Sequence, residues 1–167
     1  MAKNVLWATI FALVAGILQS TLLSHLAVYH AVPDLALGIL VFSAYVNGSM
    51  TGQLTGFFSG LLLDFLSAAP LGLNALVRTL IGAAAGLMNG TFFLDVLFLP
   101  MALCAGATLL KAALVFVLHL LFPGAIPAYA LFDLTLWVEL LLNTLTAPFL
   151  FGLLKLFNTL LVGRRET

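Results

Sequence analysis

After one basic residue, Lys3, the chain enters an apolar stretch of more than 20 residues, VLWATIFALVAGILQSTLLSHLA, from Val5 to Ala27. A helix needs about 20 such residues to cross the hydrocarbon core of a bilayer, at roughly 1.5 Å per residue. A cleaved signal peptide would have a shorter apolar centre and a small-residue cleavage site, so this stretch reads as a retained first transmembrane helix. The remainder is built alike. Hydrophobic residues make up 63% of the chain and charged residues 7%, against about a quarter charged in a soluble domain. So few polar groups cannot cover a water-facing surface, and the surrounding medium must be lipid.

Turn signals divide the apolar sequence. Pro33 and Asp34 open a second helix, the proline suited to an entry and the acid to a helix N-terminus. Asn47-Gly48-Ser49 splits the long apolar run from Pro33 to Ser67, and AAPLG, residues 68–72, makes the next turn. The expected helices run over about 5–27, 34–46, 50–67, 71–89, 97–121 and 134–161, one transmembrane domain spanning 1–167. Pro148 is expected to bend the last of them. The fold class is thus an all-α polytopic membrane protein, a six-transmembrane-helix bundle. An even count puts both termini on one side. Lys3, Lys155, Arg164 and Arg165 mark that side as cytoplasmic, since the opposite connections, 25–33, 67–70 and 122–133, contain no Lys or Arg. The second helix is short, and as a re-entrant segment it would leave five crossings.

Gly48, Gly52, Gly56 and Gly60 recur every fourth residue, with Asp64 next in the series, and Arg78, Gly82, Gly86 and Gly90 repeat the spacing. Small residues in such rows let helix backbones approach closely in lipid. The rows serve either packing between these two helices or docking of another protein's helix, and the spacing alone does not choose.

A charge at bilayer centre costs about 2.5–3.5 kcal/mol on insertion scales, so Asp64 and Arg78 need partners. Counted from the AAPLG turn, both lie roughly 8–11 Å from neighbouring helix ends. The expectation is an ion pair across this hairpin, with Asn74 sharing the Arg78 face and adding a hydrogen bond. A second polar site is expected from Lys111 and Glu139, with Asn143 one turn beyond Glu139. His25, His30 and His119 lack ligand spacing, and Cys104 reads as a small core residue. Trp7, Tyr29, Tyr129 and Trp137 fall near helix ends, as interfacial anchors do.

Nothing in the chain spells an enzyme. H-E-x-x-H, G-x-S-x-G and a cysteine–histidine constellation are all missing, and Ser59 in GFFSG has no histidine placed to activate it. No cofactor or metal is expected. A net charge of zero with scattered basic residues gives no reason to expect a nucleic-acid partner. No connection exceeds about a dozen residues, so function must reside in the bundle or on its lipid-facing surface.

The Pro33–Asp34 start, the run GFFSGLLLDFLS through Asp64 and PLGLNALVRTLIG from Pro70 to Gly82 together resemble the rod shape-determining protein MreD family. The motifs lie within Pro33–Leu87, and the second half is similar only as apolar helices. The resemblance implies a bacterial inner-membrane protein that pairs with an MreC-like single-span protein. Through that partner it would meet RodA and a class B penicillin-binding protein, with the MreB filament inside the cell. The implied role is that of a non-enzymatic scaffold or regulator of lateral-wall peptidoglycan synthesis. The implied fold resembles the substrate-binding components of energy-coupling-factor transporters, so a vitamin-type transporter subunit is the second reading. Ala8 and Ala12 form a small-residue pair of the kind such subunits use for docking. Whether two copies form a homodimer is left open.

Overall fold

The structure is a computed structural model and describes residues 1–21, 31–67, 69–90, 97–126 and 133–162. The elements among them are helices: α1 Ala2–Thr21, α2 Leu35–Asn47, α3 Ser49–Leu66, α4 Leu73–Leu87, α5 Phe98–Leu121, α6 Leu134–Leu156 and the single turn α7 Asn158–Leu161. Three of them, α1, α5 and α6, are long and apolar enough to cross a bilayer, while α2 and α4 are shorter apolar helices. The expected continuation of the first helix to Ala27 lies outside the described residues, as do Tyr29, Tyr129, His25, His30, Arg164 and Arg165.

The local chemistry explains the observed ends. Asp34 caps α2, its carboxylate accepting the Leu37 N–H at 2.9 Å, which satisfies one of the orphan donors of a first turn. Gly48, at φ 91°, separates α2 from α3. Gly72, at φ 93°, delays α4 to Leu73, and Gly90, at φ 72°, follows its end. These left-handed values suit glycine, which has no Cβ to clash. Gly48 and Gly90 are therefore turn residues. Nothing lies within 4 Å of a Cβ built on either, so close packing does not require glycine at these two positions, although the Gly48 backbone borders Gly86.

The last helix ends earlier than expected. It runs through Pro148 to Leu156 and breaks at Phe157. Beyond the break α7 packs on α1, with Leu161 fully buried. Asn47 Nδ2 donates to the Leu161 carbonyl at 2.7 Å, and Asn4 Nδ2 donates to Asn47 Oδ1 at 3.0 Å. One asparagine thus ties together the start of α1, the end of α2 and α7.

Each long helix runs antiparallel to its predecessor. The start of α1 meets the end of α2 through Asn4 and Asn47, and Asn89, after α4, donates to the Tyr45 carbonyl at 2.5 Å. Along α5 and α6, Thr108 meets Asn143 and Lys111 meets Glu139. At the centre stands α2, in contact with α1, α3, α4, α5 and α6. Every residue from Ala36 to Ala44 is buried, so this helix is enclosed on all faces, as an all-round apolar helix must be. Ala8 and Ala12 are also fully buried in the core. They are internal packing residues, unavailable for docking another protein.

The closest packing joins α3 and α4. A Cβ at Gly52 would strike the Gly82 carbonyl, and one at Gly56 the Arg78 carbonyl. One at Gly60 would meet Asn74 and Ala75, and one at Gly86 the backbone of Ser49. The glycine rows are consumed inside the hairpin. Replacing Gly56 or Gly82 by Val should therefore destabilise the bundle by about 1–3 kcal/mol or more, the usual cost of overpacking. Gly106→Val and Gly152→Val, where a Cβ meets nothing within 4 Å, should leave it folded. Thermal unfolding and gel-filtration profiles in detergent would check the contrast.

Candidate functional site

Four helices converge on one carboxylate. Arg78 Nη2, from α4, donates to Asp34 Oδ1 at 2.9 Å and to Oδ2 at 3.0 Å. Lys111 Nζ, from α5, donates to Asp34 Oδ2 at 3.0 Å and to Glu139 Oε1 of α6 at 2.7 Å. Asn143, one turn past Glu139, accepts the Asp34 backbone N–H at 2.6 Å and donates to Thr108 Oγ1 at 2.9 Å. Thr108 donates in turn to the Cys104 carbonyl at 2.8 Å. Asp34 and Arg78 are each 6% exposed. Two cations and two carboxylates make the cluster neutral, the condition under which buried charge is tolerable.

The Asp64–Arg78 ion pair expected from the sequence is not formed. Asp64 is spent elsewhere. Its Oδ2 accepts the backbone N–H groups of Gly72 and Ala75, at 2.9 and 3.1 Å. Its Oδ1 accepts the backbone and side-chain N–H of Asn74, both at 2.9 Å. The first residues of α4 have no side-chain cap of their own, Gly72 occupying that position. A carboxylate from α3 supplies the missing acceptors, and its charge faces the positive end of the α4 dipole. Asn74 accordingly serves Asp64 and not Arg78. Arg78 lies one turn deeper, about 6 Å further along the axis, where its partner is Asp34.

The other expected polar residues also find places. Lys111, Glu139 and Asn143 do not form a separate spot but join Arg78 through Asp34. His119 Nδ1 lies 2.8 Å from the Ile126 carbonyl, and Cys104 is buried. What the sequence reading missed was Asp34 as the hub, since it assigned that residue only to a helix start. Charge balance offered a signal. Arg78 and Lys111 are two cations within apolar helices, against three carboxylates, Asp34, Asp64 and Glu139, so the one beside a helix N-terminus is also available to a cation.

A family model of the rod shape-determining protein MreD matches residues 1–157. The chain belongs to the MreD family. It is therefore a shape-determining membrane protein, of a family not known as enzymes. No curated protein and no solved structure matches it. The MreD match extends well beyond the hairpin motifs, through α5 and α6, and includes every residue of the Asp34 cluster.

A double-mutant cycle would distinguish the two pairings. Arg78→Ala should cost about 3–5 kcal/mol, the penalty for stranding a buried partner. Its effect should couple strongly to Asp34→Ala, by at least about 2 kcal/mol. With Asp64→Ala it should add within about 0.5 kcal/mol, as for sites that share no interaction. Unfolding midpoints of the purified variants would supply the numbers.

Proposed function

We propose that this chain is a non-enzymatic scaffold of the bacterial cell-elongation machinery. It lies in the inner membrane, crosses it six times and holds an MreC-like single-span partner on a lipid-facing side. Family membership carries the reading. Through that partner it supports the peptidoglycan synthesis performed by a RodA-type enzyme and a class B penicillin-binding protein, with the MreB filament on the cytoplasmic side.

Several features support this reading. The alternating helix directions suit six crossings, with the short α2 enclosed by the other helices. They put Lys3, at the start of α1, and Lys155, at the end of α6, at one end of the bundle, consistent with cytoplasmic termini. Asp34, Arg78, Lys111 and Glu139 are paired with one another, Asp64 with the start of α4, and the glycine rows with the α3–α4 contact. Among the described residues the outward face is mainly apolar and includes open grooves. One, between α1 and α3, includes Leu6, Ile10 and Phe58; another, between α4 and α5, includes Ala84, Ala102 and Gly106.

Copurification tests the proposal. A tagged chain expressed with the MreC-like protein should retain it in detergent in near-equal amounts. Cysteines at Ile10 or Ala102 should crosslink to that partner's transmembrane helix, and one at the lipid-exposed Phe149 should not. Failure to retain the partner, together with a stoichiometric vitamin-like ligand, would support the transporter-subunit reading instead.

A further inference from the structure

A cavity of about 340 Å³ opens among α1, α2, α3, α4 and α5, and Gln19, Asp34, Ser67, Asn74, Arg78 and Lys111 contribute its polar lining. It has no part in the scaffold argument above. Two observations mark it as a site for an anion. The first is unmet hydrogen bonding. Arg78 is 6% exposed and uses Nη2 for both bonds to Asp34, while its buried Nη1 has no partner. Buried polar atoms in native proteins are nearly always satisfied, so this donor calls for an acceptor of its own.

The second observation is local charge. The cluster as a whole is neutral, but Glu139 stands behind Lys111 and does not line the cavity. Among the described lining residues two cations stand with a single carboxylate, so the side of the neutral cluster turned to the cavity is its positive side. A phosphodiester carries one charge, and its oxygens suit a guanidinium and an ammonium, of whose three donors Lys111 spends two on carboxylates.

Position narrows the source. The cavity sits at one end of the bundle, at the end of α3 and the start of α4, with Leu66 in its wall and Phe65 beside it 69% exposed. A headgroup there leaves acyl chains against the apolar outside of α3. We propose that this cavity binds the phosphate of an anionic phospholipid, with Arg78 Nη1 and Lys111 Nζ donating to its oxygens.

The test uses the purified full-length chain in detergent and three additives: phosphatidylglycerol, a phosphate-free galactolipid, and inorganic phosphate. Phosphatidylglycerol should raise the unfolding midpoint by several degrees, as a ligand of the folded state does, and the galactolipid should not. A shift with inorganic phosphate equal to that with the lipid would keep the anion site but assign it to a soluble phosphate compound. Gln19→Phe fills the cavity from α1 without touching the Asp34 cluster, and it should abolish the phosphatidylglycerol shift. Arg78→Lys keeps the charge but loses Nη1, and should at least halve it. Should Gln19→Phe fail to fold, Arg78→Lys decides alongside native mass spectrometry of the wild type, where one retained phosphatidylglycerol is expected. Equal stabilisation by both lipids, a full shift in either folded variant, or no shift and no retained lipid overturns the proposal.

Discussion

The architecture depends on the need to neutralise charge where water is scarce. Asp34 meets that need for two cations at once while capping its own helix. Its position makes this workable. Because α2 contacts every other long helix, a carboxylate at its first turn is within reach of α4, α5 and α6 together. The backbone N–H bonded to Asn143 fixes the entry of the chain as well. A buried ion pair is weak evidence for stability when set against an apolar replacement. Its value here is better understood as specification. Alternative registers of α4, α5 or α6 would each leave a charge in lipid without a partner, so one packing arrangement is favoured over near relatives of similar apolar area.

Close packing of α3 on α4 and the placing of charges are linked. Gly56 sits against the Arg78 carbonyl and Gly60 against Asn74 and Ala75. The glycines thus bring the backbone of α3 onto the turn of α4 that carries the arginine. Side chains at these positions would hold the helices apart and carry Asp64 away from the N–H groups of Gly72, Asn74 and Ala75 that it accepts. Backbone contact and helix capping therefore stabilise the same hairpin. Arg78 is thereby directed out of the hairpin, toward α2.

Much of this was legible in the sequence, and the exceptions have physical causes. Apolar runs and turn residues located α2, α3, α4 and α5 to within about two residues, because lipid leaves little freedom about which segments become helical. The Lys111–Glu139 contact follows from the meeting of consecutive helices. Arg78 was misread because depth along a hairpin constrains the level of a side chain and not its direction around the axis. Adjacent opposite charges looked sufficient for each other, whereas the free N–H groups at the start of α4 compete for the carboxylate and, with the Asn74 side chain, supply four bonds. The partner that Arg78 does use comes from α2, a helix not adjacent to α4 in the chain. The break at Phe157 was hidden for a similar reason. It depends on Asn4 and Asn47, residues far from it in sequence.

These internal commitments bear on how such a protein can act within a shape-determining assembly. Features that usually advertise helix association in membranes, glycine rows and intramembrane charges, are already engaged within the chain. A partner helix approaching from the bilayer meets mainly aliphatic and aromatic side chains, so recognition must come from the shape of lateral grooves. Shape recognition needs a surface that does not rearrange, and the neutral cluster and interlocked hairpin provide one. At the end of the bundle, by contrast, the buried Arg78 Nη1 remains unspent, and Arg78 and Gln19 line a cavity that opens outward. There polar chemistry, as opposed to fit, can distinguish one neighbour from another.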